Sequence, residues 1–234
     1  MVYRINAILI TVIHPDSELR FVSPAIGYGL FATRLIPKGT ITWVVDPLDQ
    51  IISPPKLHAL PELVKTSAFK YSYLNGYGNR ILCWDHARFV NHSCAAACLS
   101  PGFDFEIAVR DIRAGDEITD DYGALNLEEP FTCFCDAPHC RGQVLPDDPM
   151  RYAGAWDMLV AAAFPDVGRV EQPLWELVRE KEEVHRALAG QQQLPSILRH
   201  ICSVKSTPAT RSKGRRRPLP TVAARNQLAT DPRP

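Results

Sequence analysis

Seven residues, Arg88-Phe89-Val90-Asn91-His92-Ser93-Cys94, put an amide, an imidazole, a hydroxyl and a thiol into four successive positions behind an apolar Phe-Val pair. Such a run makes a poor core and an odd surface loop, so it has the composition of a site. Two later segments share that character. Glu117-Ile118-Thr119-Asp120-Asp121-Tyr122-Gly123 ends in a tyrosine behind two acids, and Cys133-Phe134-Cys135 with Cys140 supplies three thiols in eight residues. Three thiolates this close need only one more ligand to complete the tetrahedron that zinc prefers. Cys94 and Cys98 are the candidates for the fourth position. Cys83 and Cys202 read instead as a small buried hydrophobe and a tail thiol. His92 alone would more often be a hydrogen-bonded structural histidine, and Tyr122 alone more often core; their neighbours are what single them out.

A fourth segment, Gly27-Tyr28-Gly29-Leu30-Phe31-Ala32, fits the dinucleotide fingerprint G-x-G-x-x-A, with Asp49 twenty residues past Gly29. That fingerprint requires a helix starting inside it, so that pyrophosphate can sit on the helix N-terminus. Leu30-Phe31-Ala32 reads as strand, and Pro37 and Gly39 leave no room for the helix. A nucleotide-dependent oxidoreductase is therefore rejected. A Gly-x-Gly beside a strand still lets the backbone approach a ligand closely.

The elements that must carry these groups are mostly short strands. Ile- and Val-rich residues 5–13 predict a buried strand, Phe21 to Thr33 two strands around a tight turn at Gly27-Tyr28-Gly29, and residues 40–45 a third after the turn at Pro37-Lys38-Gly39. Pro54-Pro55 opens a helix running to about Lys70, with Leu57, Leu60 and Val64 on one face. Residues 81–84 and 105–109 predict further strands, and 112–117 a strand-turn-strand junction. The fold class is mostly β with minor α. After Leu145 the pattern turns helical. Asp148 caps a helix with Pro149 at its first position, Tyr152, Trp156, Leu159, Val160 and Ala163 on one face, and Pro165 as its stop. A second helix starts at Pro173, carries Leu174, Leu177, Val184 and Leu188 with a Glu182–Arg186 pair, and ends at Gly190. From Gln191 onward the composition predicts disorder. The expected organisation is a domain over 1–145, a helical extension over 146–190, and a basic tail over 191–234.

A 46% hydrophobic and 22% charged composition is that of an ordinary globular core. Net charge is zero but uneven. From Arg199 to the end there are nine Lys/Arg and one acid, against 26 of each in the chain, which leaves the body at −8. The tail Arg211-Ser212-Lys213-Gly214-Arg215-Arg216-Arg217 could contact nucleic acid weakly or serve as a nuclear address; a solvated end explains it equally well. The apolar run Ala7–Ile13 is too short to span a bilayer and lacks a small-residue cleavage site. The reading is an intracellular protein, cytoplasmic or nuclear, with no membrane partner, whose seven cysteines are thiols or ligands rather than disulfides.

Taken together, the four segments resemble the SET-domain family of protein lysine methyltransferases over about residues 15–145. Gly27-Tyr28-Gly29 is similar to the family's G-x-G segment. Arg88 to Cys94 is similar to its R-F-x-N-H-S-C, Gly115 to Tyr122 to its G-E/D-E-L/I-T-x-D-Y, and Cys133, Cys135 and Cys140 to its post-SET C-x-C-x4-C, here at about 131–145. The resemblance implies small curved β-sheets with a pseudoknot-like crossing, in which the Asn91 segment threads under the loop before Tyr122. It implies S-adenosyl-L-methionine as cofactor, held by Gly27, Tyr28, Gly29, Arg88, Phe89, Asn91, His92 and Tyr122. It implies one structural zinc on Cys94, Cys133, Cys135 and Cys140, and a protein or peptide lysine entering a channel that meets the cofactor at the catalytic Tyr122.

Two departures stand out. Asp120 occupies a position that is usually Phe or Tyr in the family and influences how many methyl groups are added. The stretch after Gly39 lacks the family's Glu-Tyr-x-Gly, so the second channel aromatic falls to Trp43, Tyr71, Tyr73 or Tyr77. The reaction implied is attack of a lysine amine on a sulfonium methyl. It requires loss of a proton from an ammonium of pKa roughly 10.4, which an apolar channel beside a sulfonium favours. No dedicated base stands out in the sequence. The alternative is a catalytically silent SET-like module that holds a peptide, for which the unusual Asp120 speaks.

Overall fold

The computed structural model describes residues 12–202; residues 5–11 of the expected first strand and the basic tail beyond Cys202 lie outside the described residues. Strands β1 (Ser17–Ser23) and β2 (Gly27–Ala32) form a hairpin, followed by β3 (Ile41–Val44) and β4 (Gln50–Ile52). Helices α1 (Pro54–Ala59) and α2 (Glu62–Tyr71) lead into β5 (Ser72–Leu74) and β6 (Arg80–Leu82). The central segments are β7 (Asn91–His92), β8 (Cys98–Leu99), β9 (Phe105–Ala108) and β10 (Glu117–Asp120). β11 (Phe131–Thr132) and β12 (Gln143–Val144) close the β part, and α3 (Asp148–Ala163) and α4 (Lys181–Leu188) follow.

The strands pair as four small sheets, in orders β1-β2-β10-β7, β3-β9-β8, β4-β6-β5 and β11-β12. The fold is thus mostly β with minor helix, as the sequence predicts. Its crossing lies at β7 and β10, which run parallel with Asn91 opposite Thr119 and His92 opposite Asp120. Backbone bonds from Ser93 to Asp120 (2.9 Å) and from Ala97 to Thr119 (3.0 Å) then wind the chain around β10.

Two cores hold this arrangement. Leu30, Ala32, Ile36, Ala97, Cys98, Ala108, Ile112 and Ile118 close the space behind β2 and β10. Ile41, Val44, Leu99, Phe103, Phe105 and Ile107 present the other apolar face of β3-β9-β8, and Trp156, Val160, Ala163 and Phe164 from the helical extension cover it. A three-stranded sheet cannot leave an apolar face in water, so α3 shares a core with the strands.

Several boundaries differ from the sequence expectation for local reasons. The first hairpin turns at Pro24-Ala25-Ile26, because Ser23 Oγ accepts the Ile26 amide at 3.2 Å and Pro24 fixes its own φ. Gly27, at φ +90°, ends that turn, and Gly-Tyr-Gly becomes strand. The expected helix over 54–70 breaks at Pro61, which drives Leu60 to ψ 148°. Its apolar side is hardly used: Leu63 is 82% exposed, and in α2 only Ala68 is buried. In α3 the N-cap is Asp147, while Leu159 faces out and Ala153 faces in. Pro165 prolongs α3 as a 3-10 turn over Phe164–Gly168, since a proline near the start of a turn costs no hydrogen bond. The second expected helix splits into a 3-10 turn at Trp175–Leu177 and α4, and Arg186 donates to Gln192. Residues 191–202 are packed, contrary to the expected disorder: Ile197 is buried, its amide donates to Asp157 (2.9 Å), and the Cys202 amide donates to Asn126 (2.7 Å).

Candidate active site and thiol cluster

β2 brings the glycine strand against β10, with Phe31 opposite Glu117, and β7 closes on the far side. The Asn91 amide then donates to the Tyr28 carbonyl at 3.1 Å and to Glu117 Oε1 at 2.7 Å. Gly29 makes that bridge possible. A Cβ there would fall on Glu117 Oε1 and lie 2.8 Å from Asn91 Nδ2, whereas Gly27 is open, with nothing within 4 Å of an added Cβ. Beside this strip lie aromatic edges: Tyr28 meets Phe89 at 6.1 Å and Tyr71 meets Phe89 at 5.6 Å between ring centroids. Arg88 turns back over its own loop, stacking on Phe89 at 5.2 Å and donating to the Trp84 carbonyl.

Tyr122 sits where β10 ends. Its hydroxyl donates to the Val90 carbonyl at 2.6 Å, and its amide donates to His92 Nδ1 at 3.1 Å. Burial pushes the phenol pKa well up, with Asp120 and Glu117 adding to the effect, so the hydroxyl remains a donor at all ordinary pH. Burial likewise holds the His92 imidazole below its ordinary pKa. Because Nδ1 accepts the Tyr122 amide, the ring proton belongs on Nε2, which lies 3.4 Å from Cys94 Sγ.

On the other side of Tyr122 opens a cavity of about 1490 Å³. Trp43, Tyr73, Glu106, Asp120, Tyr122 and Val90 form part of its wall, whereas Gly27–Gly29, Asn91 and His92 do not. Tyr122 therefore lines the cavity, as does Arg88, while its hydroxyl and amide are held by Val90 and His92, which flank the Asn91 that bonds the glycine strip. Of the candidate channel aromatics, Trp43 and Tyr73 lie edge-on at 6.0 Å in this wall, Tyr71 leans on Phe89, and Tyr77 is 90% exposed at the rim. Burial raises the Asp120 carboxyl well above the carboxylate range, and Glu106 and Asp121 raise it further; burial raises Glu106 to about 7.

The thiols converge beside His92. The ligand atoms of His92, Cys94, Cys133 and Cys135 all lie within 4.8 Å of one another, and Cys140 Sγ adjoins at 3.6 Å from Cys133 Sγ. Each of the four sulfurs of Cys94, Cys133, Cys135 and Cys140 accepts a backbone N–H, from Arg141, Cys135, Cys94 and Gly142 respectively, at 3.3–3.4 Å. Donors aimed at sulfur favour thiolate. Burial opposes this at Cys135, yet the amides of Cys94 and Ala137 and the neighbouring thiols bring it down to about 7; burial raises Cys94. Four thiolates at this spacing repel unless a cation sits among them, so the donor set fits zinc. Cys98 lies apart: it is 1% exposed inside the core behind β10, and burial drives its thiol pKa up.

Arg141 ties the cluster to the fold. It donates to Cys94 Sγ (3.4 Å), pairs with Asp121 (2.5 Å) and Asp148 (3.2 Å), and stacks on Tyr152 at 4.8 Å. Asp121 in turn accepts the Trp156 indole N–H at 3.1 Å. Sequence reasoning missed Arg141, Asp148 and Glu106. The available signals were faint: an arginine directly after the last thiol, an acid before a helix proline, and one Glu at the polar phase of an apolar strand.

Residues 27–123 match the family described as SET domain. Among curated proteins, the chain is 41% identical over 63 residues to "Histone-lysine N-methyltransferase, H3 lysine-4 specific" of Schizosaccharomyces pombe, covering 24% of this chain and 7% of that protein. It is 26% identical over 137 residues to "Histone-lysine N-methyltransferase ATX2" of Arabidopsis thaliana, covering 50% and 12%. The chain thus spans only a small fraction of these relatives' length. Among solved structures, the methyltransferase domain of human Histone-lysine N-methyltransferase SETMAR superposes loosely, at 18% identity and TM-score 0.39, covering 56% of this chain and 58% of that one. KRYPTONITE in complex with mCHH DNA, H3(1-15) peptide and SAH does so at 18% identity and TM-score 0.41, covering 56% and 30%. The four motifs of the sequence thus fall in or directly after a matched span, and the chain carries a SET domain over residues 27–123.

Proposed function

We propose that this chain transfers a methyl group from S-adenosylmethionine to the side-chain amine of a lysine in a protein substrate. The observation that carries the reading is that Tyr122 lines the acid-walled cavity and is bonded to Val90 and His92, on either side of the Asn91 that holds the glycine strip. Gly27, Tyr28, Gly29, Arg88, Phe89, Asn91 and His92 would hold the cofactor. The strip suits it, because Gly27 leaves backbone uncovered and Asn91 with Glu117 supplies polar atoms beside it. When bound, the cofactor supplies a methyl on a sulfonium. The chain supplies alignment, an effect that can be worth roughly 7–11 kcal/mol. Tyr122, held by the Val90 carbonyl, fixes the lip of the channel. Trp43 and Tyr73 give it an aromatic wall beside the two acids.

Cys94, Cys133, Cys135 and Cys140 would hold a structural zinc with no open position, tying the β11–β12 segment onto the chain that carries Asn91 and His92. Burial of Cys98 supports Cys94 as the fourth ligand. A lysine-rich histone H3 tail is the first substrate to try, and a nuclear location is consistent with it. Methylation of H3 peptides with labelled S-adenosylmethionine, read by mass spectrometry, tests the reading; cofactor binding without label on any lysine would favour the silent peptide-binding module instead.

A further inference from the structure

Glu106 and Asp120 are the two groups in the cavity wall that alignment alone does not use. They come from different strands of different sheets, β9 and β10, and share a hydrogen bond. Asp120 is 5% exposed, and Glu106, half-buried, faces the cavity. Two acids this close cannot both ionise cheaply, so one proton is held between them.

Among the described residues no cation is paired with them. Facing the pair are Tyr122 after β10, Tyr73 on β5, Cys98 on β8, Thr42 and Trp43 on β3, and the further acids Asp104 and Asp121. No Lys or Arg among the described residues forms an ion pair with either carboxyl; Arg141 is committed to Asp121 and Asp148, and Arg110, which acts on Cys98, is exposed. Buried carboxyls are normally paired with a cation. Beside them the Trp43 indole N–H is buried without a partner. The cavity is lined elsewhere by Lys70, Arg80, Arg88, Arg179 and Arg199, of which Arg80 is paired with Glu128, but the carboxyls of Glu106 and Asp120 have no ion-pair partner among the described residues and the Trp43 indole no acceptor.

We propose that the Glu106–Asp120 pair receives the substrate's lysine ammonium as its missing cation and takes the proton that the amine must lose before methyl transfer. This rests on the methyltransferase reading above. An N–H bond of the ammonium breaks and an O–H bond forms on the ionised carboxylate of the pair, leaving a neutral amine. The freed lone pair attacks the methyl of the sulfonium donor. The C–S bond breaks and its electrons stay on sulfur. The product leaves as a methylammonium, and the extra proton on the pair passes to water. The acceptor is the singly protonated pair, so transfer should fall as pH drops through about 7, where Glu106 titrates. The pair would also set the degree of methylation, because each further methyl removes one N–H that the carboxylate can engage.

The test uses the full chain in wild-type form and as Glu106→Gln, Asp120→Asn and the double variant. Single-turnover methylation of a lysine peptide is followed from pH 5.5 to 9.5, and binding of n-butylammonium is measured by calorimetry. Neither amide leaves a charge unpaired, and urea midpoints check that each variant folds. Expected results are an acid limb near pH 7 in the wild type, a roughly tenfold or larger loss of rate at pH 7 in Glu106→Gln with that limb displaced upward, and at least tenfold weaker butylammonium binding in the double variant. A pH profile and butylammonium affinity unchanged in the double variant would overturn the proposal even if the wild type methylates well. Should the wild type methylate nothing, the functional reading fails, and butylammonium binding that depends on the two acids decides whether the pair is a cation receptor.

Discussion

The thiol cluster and the acid pair lie on opposite sides of the same short stretch, Asp120-Asp121-Tyr122, and both concentrate negative groups in protein interior. They are wired differently. At the thiol end every sulfur has an N–H donor, and Arg141 binds Cys94, Asp121 and Asp148 together. At the acid end no ion pair forms among the described residues, and burial raises both carboxyls, which hydrogen-bond to each other. On the readings proposed above, the site whose donors are all fixed would hold a permanent cation, and the one left short a cation that comes and goes. The contrast separates what holds the fold from what the fold works on.

The largest effect should come from emptying the thiol end. The binding energy of a structural zinc is folding energy, about 10–16 kcal/mol in the smallest zinc domains. Chelation, or Cys140→Ser, should therefore abolish amide protection in β11 and β12 while β3, β9 and β8 stay protected, as hydrogen exchange would show. Elemental analysis should find one zinc per chain in Cys98→Ser and none in Cys94→Ser; full zinc in Cys94→Ser would dissolve the contrast. Next comes Arg141→Met, which strands Asp121 and Asp148, both 2% exposed or less. Breaking one side of such a buried pair typically costs about 3–5 kcal/mol, and the urea midpoint should fall accordingly.

The acid end predicts the opposite sign. Glu106 titrates at about 7 in the fold against 4.5 as a free group, and Asp120 is raised as well. Carboxyls raised in the folded state contribute stability that is complete below about pH 4 and is lost as pH rises through 7. Between pH 5 and 8 the wild type should lose about 1–3 kcal/mol relative to the Glu106→Gln, Asp120→Asn double variant, measured by denaturant melts at several pH values. Parallel curves would show that the pair has other company. A change of similar size is Gly29→Ala. The added methyl displaces the ends of Glu117 and Asn91, at a cost of roughly 1–3 kcal/mol, and should weaken cofactor affinity more than it lowers the melting temperature.

What could be read from the sequence divides along the same line. The Asn91–Cys94, Glu117–Tyr122 and Cys133–Cys140 segments announce themselves because they crowd rare polar types into a few positions. The strand content follows from β-branched runs between turn residues. The legible part ends where partners are remote. Glu106 looks like a surface residue of an alternating strand until β9 is laid beside β10, and Arg141 has no visible acids until α3 folds back. Turn and helix boundaries failed where a single local bond or proline decided them, as at Ser23 and Pro61. The packing of residues 191–202 was hidden because the polar, basic composition of 191–234 as a whole masks the apolar residues at its start, where Ile197 is buried and Leu194 packs against the same core.

Tyr122 joins the two ends, and its chemistry is the most direct test of the whole account. The zinc-loaded chain is incubated with methyl-labelled S-adenosylmethionine and a lysine peptide, alongside Tyr122→Phe. The account predicts label on the lysine side-chain nitrogen in the wild type. It predicts a loss of a hundredfold or more in the variant, about the effect of removing one well-placed polar group from a transition state, with zinc content and cofactor affinity unchanged. Equal label in both proteins, or tight cofactor binding with no lysine labelled by either, would contradict it.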